Sequence, residues 1–122
     1  MYGNIVVRTD GTVIDGQDIH GKVTVLAKNV VIRNSIIRGE NYTVPSQCLI
    51  IAIDRAVSNL QVSNSELVPE FPSVNGEVGI CGHDFSITGS NIHGTVDGVG
   101  AYGSNVTISG NYIHGLAWYA YD

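Results

Sequence analysis

The twelve residues SNVTISGNYIHG, at 104–115, recur in altered form as HDFSITGSNIHG (83–94), SNLQVSNSELVP (58–69) and KNVVIRNSIIRG (28–39), with a shorter copy, TVIDGQDIHG, at 12–21. Aligned on their final residue (Gly21, Gly39, Pro69, Gly94 and Gly115), the copies step by 18, 30, 25 and 21 residues. Each reads as a short strand, a sharp bend and a second short strand. Val106, Ile108 and Ile113 match Phe85, Ile87 and Ile92, then Leu60, Val62 and Leu67, then Val30, Ile32 and Ile37. Period-two alternation turns these residues to one side and Thr107, Ser86, Gln61 and Val31 to the other. The bends carry Asn34-Ser35, Asn64-Ser65, Gly89-Ser90 and Gly110-Asn111, types that tolerate left-handed backbone or cap it locally. An Asx residue precedes each first strand (Asn29, Asn59, Asp84, Asn105), where it suits bonding to its own following backbone.

One strand-bend-strand unit cannot hide its apolar side, whereas stacked copies enclose a continuous apolar column. The pattern therefore predicts a single all-β domain over 1–122, a single-stranded parallel β-helix of about five rungs. Right-handedness is taken from the preponderance of such helices. A third strand per rung comes from KVTVLA (22–27), CLIIAI (48–53), EVGICG (77–82) and DGVGAYG (97–103). At ~4.8 Å per rung the stack spans roughly 24 Å. The competing arrangement, an antiparallel sandwich, also has short strands with regular turns, but it does not explain why like residues recur in columns. The long steps place enlarged, Pro-bearing loops at 39–47 and 68–76 along one edge.

Charge narrows the partners. Residues 1–55 hold all six Lys and Arg against five acids, while 56–122 hold six acids and no Lys or Arg. A nucleic-acid surface needs clustered cations to displace counterions, so DNA and RNA are not expected partners. No apolar run is long enough for a membrane-spanning helix, and Met1 leads into YGNIVVRTDG without the basic and apolar regions of a signal peptide. Cys48 and Cys81 are too few for a disulfide scaffold and too far apart for a CxxC motif. They are expected as small buried apolar groups; a bridge between neighbouring repeats is the alternative, and it requires an oxidising compartment or an extracellular particle.

The chemistry-bearing residues are sparse. His20, His93 and His114 share one repeat position, with Arg38 and Val68 between them, so the rings of His93 and His114 should stack on adjacent rungs as a polar ladder shielding the sheet. A metal shared by these two lacks a third ligand, and no metal or cofactor is expected. Asp97, before Gly98, is the best single acid, with Asp84 and Asp122 as partners for a two-carboxylate hydrolysis; Asp97 equally reads as a turn residue and Asp84 as part of the structural Asx column. Lyase chemistry needs a cationic base, which the second half does not supply. Tyr102, Tyr112, Trp118, Tyr119 and Tyr121 offer aromatic faces to a sugar or to a junction with another chain. A last rung leaving apolar core and strand edge open favours the junction.

Together, GTVIDGQDIHGKVTVLAKNVVIRNSIIRG, PSVNGEVGICGHDFSI and TVDGVGAYGSNVTISGNYIHGL resemble the pectate-lyase-like right-handed β-helix proteins and, more closely, β-helical minor tail proteins of actinobacteriophages, from about Gly11 to Asp122. In relatives the helix continues, so the resemblance implies the N-terminal part of a longer β-helix. It further implies a rigid virion module that touches host-surface polysaccharide or other tail proteins, commonly as a trimer. For secreted relatives it implies binding or cleavage of acidic polysaccharide by a lyase or glycoside hydrolase. The missing cationic base inclines the expectation away from an enzyme.

Overall fold

A computed structural model describes residues 3–40, 48–70, 78–95 and 97–114. They form fifteen short strands and no helix. The first pass of the chain contains β1 (Ile5–Val7), β2 (Val13–Asp15) and β3 (Asp18–Ile19). The second has β4 (Val23–Val25), β5 (Val31–Arg33) and β6 (Ile36–Ile37). The third has β7 (Cys48–Ala52), β8 (Leu60–Ser63) and β9 (Glu66–Leu67), and the fourth β10 (Val78–Gly82), β11 (Phe85–Thr88) and β12 (Asn91–His93). The fifth contains β13 (Asp97–Ala101), β14 (Val106–Ser109) and β15 (Tyr112–His114).

Every pass adds one strand to each of three five-stranded sheets, ordered β1-β4-β7-β10-β13, β2-β5-β8-β11-β14 and β3-β6-β9-β12-β15. All strand pairings are parallel, which rules out the antiparallel sandwich and fits a β-solenoid. The register is that of the sequence repeat. Ile14, Ile32, Val62, Ile87 and Ile108 pair in one line, and Ile19, Ile37, Leu67, Ile92 and Ile113 in another. The four expected third strands are all present, and a fifth, β1, precedes them although its three residues are too short to register as a repeat. The enlarged turns fall mainly on 41–47 and 71–77, outside the described residues.

Inward side chains of the middle passes are sealed: Ile32, Ile37, Ile50, Ile80, Ile87 and Ile92 are fully buried, each contributing about 1.5–3 kcal/mol by leaving water. In the fifth pass the same columns end on Ile108 and Ile113, 49% and 39% exposed.

Two left-handed residues bracket every strand of the second sheet: Gly11 and Gly16, Asn29 and Asn34, Asn59 and Asn64, Asp84 and Gly89, Asn105 and Gly110. Most L-residues pay ~1–2 kcal/mol there, and Gly, Asn and Asp are the types that visit this region routinely. The Asx residues before the strands were expected to bond their own following backbone; instead they bond across passes. Asn59 Nδ2 donates to Asn29 Oδ1 at 3.1 Å and Asn105 Nδ2 to Asp84 Oδ1 at 2.8 Å. At the other corner, buried serines form a second ladder. Ser65 Oγ accepts from the Ser35 amide and donates to the Ser63 carbonyl; Ser90 Oγ accepts from the Ser65 amide and donates to the Thr88 carbonyl. Each hydroxyl thereby satisfies backbone groups that the bend removes from the sheets.

Cys48 and Cys81 are joined by a disulfide, which corrects the expectation of two free thiols. They lie outside the main core in a small cluster with Val78 and Ile51, where the alternation rule alone does not show two neighbouring columns converging. The bond ties the third pass to the fourth.

Two outcomes test this packing. Ile87→Ala should lower the unfolding free energy by about 2–5 kcal/mol, and Ile108→Ala by roughly 1 kcal/mol or less, in urea titrations; equal losses would contradict the graded burial. Reduction, or Cys48→Ala with Cys81→Ala, should cost about 3–4 kcal/mol for a loop with a separation of 33 residues, seen as a lower melting temperature; an unchanged melt would mean the bridge closes no loop that unfolding opens.

Candidate functional site

The outer face of the third sheet carries two neighbouring columns. Asp18, Ile36, Glu66, Asn91 and Tyr112 form one. His20, Arg38, Val68, His93 and His114 form the other, as the repeat alignment predicts. Because alternate residues of short strands must point outward together, the two columns interlock. Arg38 clasps Asp18 with Nε at 2.7 Å and a second guanidinium nitrogen at 3.2 Å. That bidentate contact holds the Asp18 carboxyl below its usual range and raises the guanidinium. His20 Nδ1 donates to Glu70 Oε1 at 2.7 Å, and His20 Nε2 lies 3.6 Å from Asp18 Oδ1. Further along, His93 Nε2 donates to Glu66 Oε2 at 2.5 Å and His114 Nε2 to Asn91 Oδ1 at 2.6 Å.

The rings of His93 and His114 stack at 5.0 Å with a 14° interplanar angle, as one strand spacing requires. Tyr112 stacks on the other side of His114 at 3.8 Å and 16°, leaving its residue 64% exposed. The result is a stripe along all five passes in which side chains are held by their neighbours. Four of its members, Asp18, Glu66, Glu70 and Asn91, were not among the expected site residues; Asp18, Glu66 and Asn91 were legible as residues two positions before the histidine column. Among the described residues no group of three or more His, Cys, Asp and Glu could hold a metal ion, and no helix is long and apolar enough to cross a membrane.

The other expected residues are dispersed. Tyr102 is exposed, but its hydroxyl lies over Gly100 on the first sheet, not with Tyr112 on the third. Asp97 begins β13 and pairs with Val78. Trp118, Tyr119, Tyr121 and Asp122 lie outside the described residues. Asp84 is a left-handed corner residue whose oxygens are both taken, Oδ1 by Asn105 and Oδ2 by His83. These bonds, Asn105 foremost, hold its carboxyl below the usual range.

His83 is a second site that the repeat conceals, because it stands beside the Asx column. Nδ1 faces Asp84 Oδ2 at 2.5 Å, and Nε2 faces the carbonyls of Asp54 at 2.9 Å and Ile53 at 3.1 Å. With acceptors at both nitrogens the imidazolium is favoured, chiefly through Asp84, and its pKa is raised. No family model, curated protein or solved structure matches the chain.

The folded chain holds the second His83 proton more tightly than the unfolded chain. Its contribution is complete below the ordinary imidazole value of about 6.5 and is lost as pH rises through the raised folded value. Melting temperature should therefore fall across that interval in the parent chain, and His83→Gln should flatten the fall. Parallel pH profiles for the two proteins would refute the clamp.

Proposed function

We propose that the chain is a structural and adhesive module, a right-handed single-stranded parallel β-helix of a phage minor tail protein, that presents a preorganised face to host-envelope glycan or to neighbouring tail proteins. The observation that carries this reading is the third-sheet stripe. Its side chains are fixed by mutual hydrogen bonds and ring stacking before any partner arrives, so little rotamer entropy is lost on contact. Tyr112 supplies an exposed aromatic face of the kind sugar rings pack on. The disulfide supports a virion or secreted setting, because such bonds persist in oxidising surroundings. On the stripe the carboxylates of Asp18, Glu66 and Glu70 are each engaged by Arg38, His93 or His20, an arrangement suited to holding shape more than to moving protons.

The reading predicts that the purified chain binds actinobacterial envelope preparations and sediments as a trimer in light-scattering analysis. Tyr112→Ala with His114→Ala should weaken retention about tenfold, as expected for loss of an aromatic anchor. A monomer with no affinity for envelope material would end the proposal, and release of reducing or unsaturated sugar ends would replace it with an enzyme.

A further inference from the structure

A shallow groove of about 310 Å³ runs along the stack beside the second sheet, away from the stripe. Its walls use one chain position on three successive passes, Asn59, Asp84 and Asn105, and a second on two of them, Ser86 and Thr107, with Ser58 at one end. We infer that this groove binds a linear neutral polysaccharide, laid parallel to the stack with one sugar ring per pass.

Three observations lead there. The first is the repeat. Polar groups recur at the strand spacing of ~4.8 Å, about the length of one pyranose ring in an extended chain, whereas an extended peptide advances only ~3.3 Å per residue and presents like side chains at twice that interval. The second is charge. Among the described residues Asp84 is the one charged residue lining the groove, and both its oxygens are occupied by His83 and Asn105. Among the described residues no Lys or Arg lines the groove, so these supply none of the cations that a polyanion, whether acidic glycan or nucleic acid, would need. The third is readiness. Asn59 and Asn105 are left-handed corner residues held by side-chain hydrogen bonds to Asn29 and Asp84, while the hydroxyls of Ser58, Ser86 and Thr107 have no hydrogen-bond partner among the described residues. Fixed amides beside uncommitted hydroxyls match the mixed donors and acceptors of sugar hydroxyls.

The inference rests on the adhesive reading and gives it a ligand class and a second surface. Its test uses the full chain in affinity electrophoresis against soluble linear glucan, galactan and mannan, with polygalacturonate and single-stranded DNA alongside. Ser86→Ala with Thr107→Val removes two free hydroxyls from surface strand positions and should weaken binding to a neutral chain about tenfold, with the melting temperature held. Ser86→Tyr, which fills the groove with a strand-favouring side chain, should abolish it. Binding to polygalacturonate or DNA alone, binding to none of the five, or groove variants that bind like the parent would each overturn the inference. Loss of neutral-glycan binding in Tyr112→Ala with His114→Ala, but not in the groove variants, would leave adhesion standing and place it on the stripe. A parent chain that binds envelope preparations yet none of the neutral chains would likewise defeat this inference and spare the other.

Discussion

The architecture depends on backbone turning left-handed at the same two places on every pass. A strand of three or four residues is too short to define a sheet, and its pairing survives only if the chain leaves and re-enters the stack at a fixed angle. Asn29, Asn34, Asn59, Asn64, Asp84 and Asn105 accept positive φ values of 48 to 61°, and Gly11, Gly16, Gly89 and Gly110 fill the remaining corners. Once these turns repeat, like residues are brought within one strand spacing. Side-chain amide then meets amide or carboxylate at one corner, and serine hydroxyl meets serine amide at the other. The same polar residues that permit the bend thus compensate the backbone groups it leaves over.

That economy frees the outer faces. Apolar columns and corners supply the fold, so outward residues can vary from face to face without disturbing it. The third sheet has gathered rings, acids and an arginine into a cross-bonded stripe, while the second sheet's later passes carry Gln61, Ser63, Ser86, Thr88, Thr107 and Ser109, all uncharged. Surface ion pairs such as Arg33 with Asp15, each about half exposed, are screened by solvent and contribute little. The segregation of charge along the sequence is therefore better understood as a property of surfaces than as a source of stability.

The repeat made most of this legible. Ile87 over Ile108 and His93 over His114 follow from alignment alone, because one residue of slippage would turn a whole column inside out. What escaped lies where the repeat is silent. Ile5–Val7 is too brief to register as a copy, although it pairs with Val23–Val25 as regularly as the later strands do. The Cys48–Cys81 bridge crosses between positions that do not pair in register, and His83 acts through the carbonyls of Ile53 and Asp54, which no side-chain pattern reports. Asp84 was readable both as an acid and as a corner residue, and it stands at a corner with positive φ and both oxygens bonded.

The disulfide and the His83 clamp share a location. The steps of 30 and 25 residues interrupt the repeat just before the third and fourth passes, and long excursions add loop-closure entropy that short steps avoid. The disulfide joins those two passes within the first sheet, and the His83 clamp joins the corner that follows it, reaching from the fourth pass to the third. Gly82 lies between Cys81 and His83 with φ +138°, and a Cβ there would approach the Ala52 carbonyl oxygen to 2.0 Å, so the two passes come too close at that point for any side chain. Covalent bond, imidazolium and bare glycine therefore pin the stack where its periodicity is weakest, and they let large turns enter a rod without breaking the columns on which its two outer faces depend.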